Sequence, residues 1–389
     1  MQLSVIILNY NVRYFLEQCV LSVQNALETI EGEIIVIDNN SSDDSCEMME
    51  QLFPNVKLIR NNENIGFPKG NNIGVTQAQG EYICILNPDT VVAEDTFLKV
   101  LAFAQKQSDL GILGCKLIDG TGNFLPESKR GIPTPFVAFT KVTGLYKLFP
   151  KSRTFGKYYA QHLNENQTGK VEILVGAFMF MNRDLYQELG GFDEDCFMYS
   201  DDIDLSYRVL KEGKSNYYFH ETSVIHYKGE STIKDGIYMK RFQEAMQFFY
   251  KKHFNRNGLA FFSLFMKVGI VFFSFVKMFQ GQPKIRTKSK SFVLYSSSSE
   301  LADKLALILQ NKIAFHDLKT EKMVISSSVK RDSGTEIILD NEFISFKESI
   351  HFMESSKNKG FTFRILPNNA NFFIGSDDSR ERGVVVKIE

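Results

Sequence analysis

A chain of 389 residues is longer than one ordinary domain and has ample length to bury a core. Its 43% hydrophobic and 23% charged content are those of a globular protein, and a net charge of −1 supplies no global field to recruit nucleic acid. The five cysteines are scattered without a CxxC pair, which excludes a disulfide framework and favours a reducing compartment. Met1 to Leu8 lacks a basic run and a small-residue cleavage site, so it reads as a strand and not a signal peptide, and the cytoplasm is the expected location.

Strands are predicted at Leu3 to Leu8, Glu33 to Asp38, Lys57 to Arg60, Tyr82 to Leu86 and Gly111 to Leu117. Helical patterns near 13–29, 43–52, 69–79 and 94–107 separate them. Nearly continuous apolar strands alternating with helices imply a mostly parallel α/β sheet covered on both faces. Ligands of such sheets bind at the carboxyl ends of the strands. Polar residues collect there: Asn9-Tyr10-Asn11, Asp38-Asn39-Asn40 and Asn87-Pro88-Asp89.

From about 118 to 170 the periodicity dissolves into a Gly- and Pro-punctuated stretch, either a functional lid or poorly ordered. A regular run follows at Val171 to Met181, then a helix near 183–189, a Gly190-Gly191 turn, a helix from Asp201 and a strand pair near 216–227. A helical pattern near 236–254 leads into the apolar segment Leu259 to Phe279. A membrane span there would bury Lys267 near the bilayer middle at a cost of about 2.5–3.5 kcal/mol. Basic residues flank both ends, so an amphipathic helix in the interface of an anionic membrane is expected, with a buried helix as the alternative. The chain therefore divides into an α/β domain over 1–256, an interfacial helix and basic linker over 257–290, and a small α/β domain over 291–389. In the last, Phe292 to Tyr295, Met323 to Ile325, Glu336 to Leu339, Phe361 to Ile365 and Val384 to Ile388 read as strands and Glu300 to Gln310 as a helix.

Several stretches carry residues suited to chemistry. Strand 1 ends without GxGxxG, which argues against a dinucleotide-binding oxidoreductase. Asp38 suits a ribose or base contact as well as it suits a turn. The run Asn61 to Gly74 places glycines and paired asparagines at a loop-to-helix boundary, where backbone approaches a ligand closely or simply caps a helix. Asp89 at a strand tip is suited to a divalent cation holding a diphosphate, although Asn-Pro is also an ordinary turn starter. Asp201, Asp202 and Asp204 crowd three acids into four positions behind Ser200, a candidate N-cap. One can be structural while another takes a proton. His226 after a strand completes with Asp89 a mixed oxygen and nitrogen site that tilts preference from Mg toward Mn.

Over roughly residues 1–250 these pieces resemble glycosyltransferase family 2, and more closely its bacterial rhamnosyltransferase-like branch. The carrying residues are Val5 to Asn11, Asp38 to Asp43, Asn64 to Phe67 with Gly70 to Asn72, Asn87-Pro88-Asp89, Gly190 to Glu194 and the acidic stretch ending in Arg208. The resemblance implies a GT-A fold and an inverting, metal-dependent transfer from a nucleoside-diphosphate sugar to a saccharide or lipid-linked saccharide. It implies Asp202 as catalytic base, Asp89 and His226 at a Mn or Mg ion, and Asn9, Asp38, Asn40, Gly66, Asn71 and Asn87 around the nucleotide-sugar. Gly176, Gly191, Asp193 and Asp201 would shape the acceptor side. Asn87 stands where many relatives have the first acid of Asp-x-Asp, Asp201 where Glu is usual, and Pro68-Lys69 where small residues are common. Two other readings are a membrane-docked scaffold that binds nucleotide-sugar without turnover, and a nucleotidyltransferase that would release pyrophosphate from a nucleoside triphosphate.

Overall fold

The computed structural model describes residues 1–149, 152, 154–196, 199–227, 236–254, 291–320, 323, 334–377 and 383–388. The expected interfacial helix Leu259 to Phe279, with the rest of 257–290, lies outside the described residues, as does most of Met323 to Ile325. No helix among the described residues is long and apolar enough to cross a membrane.

The first sheet grows from β1 (Leu3–Asn9), every residue of which is buried. It pairs in parallel with β2 (Gly32–Asp38) on one side and β4 (Tyr82–Leu86) on the other, and β3 (Lys57–Arg60) extends β2. Alternation along β1 feeds two cores. Val5 and Ile7 meet Leu16, Val20 and Met49 from the helices Arg13–Leu27 and Ser45–Leu52, while Ile6 and Leu8 meet Val75, Leu205 and Val209. The strand order is β3-β2-β1-β4-β8-β6-β9-β5, with β5 (Thr90–Val91), β6 (Leu110–Ile118), β8 (Phe178–Asn182) and β9 (Ser215–His226), and β7 (Gly169–Val171) paired to β9. The expected parallel-dominated α/β sheet is therefore present, with β8 antiparallel to both neighbours.

Several boundaries differ from expectation for local reasons. The helix predicted from 69 begins at Phe67 (Phe67–Thr76), because Gly66 turns the chain at φ 87° and Pro68 is favoured in a first helical turn. The predicted run Val171 to Met181 is two strands, β7 and β8, with irregular chain between them. The predicted pair near 216–227 is one strand, β9, whose register against β6 shifts between Cys115 and Lys116. The patternless 118–170 stretch is built, with helices Pro135–Val142 and Leu145–Leu148 and short 3₁₀ turns at Pro126–Ser128 and Phe155–Tyr159.

A second sheet has the order β11-β10-β12-β13-β14-β15 from β10 (Ser291–Ser296), β11 (Ile313–Asp317), β12 (Thr335–Asp340), β13 (Phe361–Leu366), β14 (Phe372–Gly375) and β15 (Val384–Lys387). Sequence reasoning missed β11, β14 and the helix Phe346–Ser355. The Ser345/Glu348 capping box was the available signal for that helix.

The two sheets share a core: Phe15, Val91, Ile118, Ile225 and Tyr227 pack with Val293, Tyr295, Ile337 and Phe346. The Glu94 carboxylate accepts from the backbone N–H groups of Phe346 and Lys347, each at 2.8 Å, at the N-terminus of the helix Phe346–Ser355. At the far end of that helix the turn Asp119–Asn123 approaches so closely that a Cβ on Gly122, which sits at φ 80°, would lie 2.2 Å from the Met353 carbonyl oxygen.

Gly122→Ala therefore combines a left-handed backbone with a backbone clash. A loss of about 2–4 kcal/mol is expected in urea unfolding. A change below about 0.5 kcal/mol would show that the two sheets do not meet there.

Candidate active site

Two strand ends and one helix start define the site. The chain leaves β4 as Asn87-Pro88-Asp89, and the Thr90 hydroxyl donates back to the Asn87 carbonyl at 2.8 Å. Pairing of β5 with β9 sets Thr90 opposite His226. That register brings His226 Nε2 to 3.5 Å from Asp89 Oδ1 and 3.4 Å from Asn87 Nδ2, with His226 and Asp89 both buried. His226 Nδ1 is buried and has no hydrogen-bond partner among the described residues. No group of three or more His, Cys, Asp or Glu is arranged for a metal among the described residues.

The helix Asp201–Lys211 supplies the second half. Ser200 occupies its N-cap position, but the Ser200 side chain makes no cap bond and lies 3.1 Å from Cys196 Sγ instead. Tyr199 before it has φ 78°, a conformation that costs a bulky residue free energy and recurs at functional sites. The three acids then divide their work. Asp204 is fully buried and holds Arg208 Nε at 2.7 Å, Lys252 Nζ at 2.9 Å and His253 Nε2 at 2.6 Å. Burial works against its charge, yet His253, Arg208 and Lys252 hold it below the ordinary carboxylate range. It is a tie between two helices and not part of the cavity.

Asp202 Oδ2 accepts from Arg130 Nη2 at 2.5 Å and from the Gly176 N–H at 3.1 Å. Burial disfavours the Arg130 cation, but the charge and hydrogen bond of Asp202, with Tyr158 and Glu127, together raise it above the ordinary guanidinium value. Asp201 is pushed up to about 7, by burial first and then by the negative charge of Asp202. Near neutrality the pair thus keeps a proton that two free carboxyls would have lost.

Asp201, Asp202, Gly176, Asn87 and His226 line one cavity of about 370 Å³ above the carboxyl ends of β1 and β4. The other expected residues stand around it in different ways. Asn9 donates to Asp38 Oδ1 at 2.8 Å, and the Asp38 carboxylate also takes the Ser41 N–H and hydroxyl at 2.8 and 2.6 Å, so both hold the loop after β2. Asn40 turns that loop at φ 63°. Gly66 accepts from Asn39 Nδ2, and Asn71 donates back to Phe67 O within its own helix. Gly70 and Gly74 let that helix sit on Leu8, Ile6 and Ile37, which explains part of the Asn-Gly run as packing. Gly191, at φ 68°, gives its carbonyl to Arg208 and packs under Asn72, while Asp193 pairs with Lys252 at 2.5 Å. These last two buttress the helix Asp201–Lys211 from outside the cavity.

Sequence reasoning missed the wall contributed by 126–160: Glu127, Arg130, Lys141, Tyr158 and Tyr159 line the cavity, with Lys141 Nζ 3.8 Å from the Tyr158 ring centre. No periodicity marks these residues, and only the concentration of Lys, Arg and Tyr in a loop-like stretch pointed to them.

An acid pair, a histidine and an asparagine thus share one cavity at the carboxyl edge of an α/β sheet, where such sheets bind their ligands. Residues 4–190 match glycosyl transferase family 2, so the chain carries a family 2 glycosyltransferase domain and is a glycosyltransferase. An N-acetylglucosaminyl-diphospho-decaprenol L-rhamnosyltransferase of Mycobacterium tuberculosis is 27% identical over 244 residues, 60% of this chain and 78% of that protein. A low-salt glycan biosynthesis hexosyltransferase of Haloferax volcanii is 24% identical over 216 residues, 54% of this chain and 62% of that protein. Among solved structures, GalNAc-T7 with UDP, GalNAc and Mn2+ is similar at a TM-score of 0.46 and 19% identity, covering 64% of this chain and 50% of that one.

Asp201 yields a sign-specific expectation. Its raised carboxyl stabilises the fold fully below the unfolded value near 4, and that contribution is lost as pH rises to about 7. Against Asp201→Asn, the native protein should lose at least about 2 °C of relative Tm between those limits, with no further drift above them. A Tm difference that is flat across this window would refute the buried-pair assignment.

Proposed function

We propose that the chain is an inverting transferase that moves a sugar from a nucleoside-diphosphate sugar to a hydroxyl of a saccharide or lipid-linked saccharide acceptor in cell-surface polysaccharide synthesis. The observation that carries this is the cavity itself, with Asp201 and Asp202 on one wall and Asn87 and His226 on the other. The rhamnosyltransferase and hexosyltransferase names of its relatives support the same class of reaction.

Asp202 is the base. Arg130 and the Gly176 N–H both bind Oδ2, which leaves Oδ1 for an acceptor hydroxyl. Its neighbour Asp201 is raised to about 7 by burial and by the Asp202 charge. The acceptor oxygen gives its proton to Asp202 and forms a bond to the anomeric carbon while the bond from that carbon to the diphosphate oxygen breaks, which inverts the centre. The Asn39 and Asn64 amides and the strand-end loops of β1 and β2 border the donor side.

A divalent cation fits the residues present. Asp89 Oδ1 and His226 Nε2 lie 3.5 Å apart, close enough for both to reach one ion, and the mixed oxygen and nitrogen set suits Mn over Mg. When bound, such an ion would neutralise charge on the leaving diphosphate. Asp89 and His226 would be the residues of this chain that hold it. We place the enzyme at the cytoplasmic face of the membrane, on the apolar and basic sequence of 257–290.

Asp202→Asn should bind donor nucleotide normally in calorimetry and lose turnover by at least about a hundredfold. Near-normal turnover would remove Asp202 from the base role. EDTA should abolish transfer by the native enzyme and added Mn restore it better than Mg; full activity in EDTA would exclude the metal.

A further inference from the structure

We propose that the segment Pro135 to Phe149, of whose described residues only Lys141 lines the cavity, is a docking surface for an anionic phospholipid bilayer. It is distinct in sequence from 257–290, and Lys141 makes it continuous with the active-site cavity.

The charge pattern is the first support. From Ser128 to Asn164 the sequence carries seven Lys and Arg and no Asp or Glu, in a chain whose net charge is −1. Four of these cations are used internally: Lys129 donates to the Tyr159 carbonyl, Arg130 to Asp202, Lys141 to the Tyr158 hydroxyl and Lys157 to Glu172. Lys147 is exposed, and Lys151 and Arg153 follow it in sequence. A local basic excess of this kind is attracted to anionic lipid.

The second support is an apolar patch at the same place. Leu148 is 71% exposed, Phe149 52% and Phe136 45%. A lone exposed Leu or Phe means little, but these are clustered: the Phe136 and Phe149 rings both pack on Phe155, at 5.9 and 5.3 Å between centres. Exposed Phe and Leu beside Lys is the composition of a surface that sits at the headgroup boundary.

Continuity with the site is the third. The helix Pro135–Val142 presents Phe136 to solvent and Lys141 to the cavity, beside Tyr158 and Tyr159. An acceptor held by its lipid in the bilayer would meet the cavity mouth without leaving the membrane surface.

The chain has no tryptophan, so Phe149→Trp installs a single reporter. In the full-length protein its emission should shift to the blue on vesicles of phosphatidylcholine with phosphatidylglycerol, be quenched by brominated acyl chains, and stay unchanged on phosphatidylcholine alone. Sedimentation with the anionic vesicles without any change in this emission would place membrane contact elsewhere and overturn the proposal, as would failure to sediment. The double variant Lys147→Glu, Leu148→Ser, at two exposed positions outside the cavity wall, should lower vesicle affinity by at least about tenfold. Its turnover on a water-soluble acceptor should stay normal. Unchanged vesicle affinity in that variant would also overturn the proposal. Vesicle binding is read without donor or acceptor, so a negative result leaves the transfer chemistry untouched.

Discussion

Two adjacent carboxylates buried under one cavity set the terms for the rest of the site. Asp201 and Asp202 cannot both ionise in a dry environment unless positive charge or hydrogen-bond donors compensate. The structure provides three kinds of compensation. The N-terminus of the helix Asp201–Lys211 offers its dipole, the Gly176 N–H reaches Asp202, and Arg130 pairs with it. Asp201 takes the remaining route, its carboxyl raised to about 7. Each device has a structural cost. Arg130 requires that 126–160 fold over the sheet, Gly176 requires the break between β7 and β8, and the helix must be anchored. Asp204 does the anchoring, through Arg208 within the helix and Lys252 and His253 from the next one.

This division explains which parts of the protein were legible in the sequence. The strand runs were clear because a parallel sheet covered on both faces must be apolar throughout, and β1, β2 and β4 lie where their aliphatic runs lie. The acid stretch stood out because three carboxylates exceed what helix capping needs. Its internal assignment was only half readable. Sequence spacing separates Asp202 from its neighbours, but only the position of Lys252 and His253, some fifty residues away, commits Asp204 to structure. Arg130 was invisible for the same reason, as a contact across 72 residues leaves no periodic trace. The approach of His226 to Asp89 depends on the two-residue strand β5, which is too short to announce itself. The Asn-Gly run after β3 misled in part. Gly70 and Gly74 are small because a helix lies on the sheet there, a packing demand indistinguishable in sequence from a ligand-binding one.

The second sheet bears on catalysis through packing and not through chemistry. Among the described residues, none that lines the cavity comes from 291–389. Yet the core it shares with the first sheet includes Val91 of β5 and Ile225 of β9, with Tyr227 directly after β9. These flank the two positions, Asp89 and His226, whose separation decides whether one cation can be shared. β5 has two residues and few hydrogen bonds of its own, so its pairing with β9 needs support from side-chain packing. Glu94, three residues past Val91, supplies a second fastening by capping the helix Phe346–Ser355, and Lys347 adds a contact to Asp95 at 2.7 Å. A half-exposed ion pair contributes little, and the capped helix and buried core contribute more. The C-terminal unit thus stabilises the edge of the first sheet where the chain is thinnest and where a shift of about an ångström would separate Asp89 from His226.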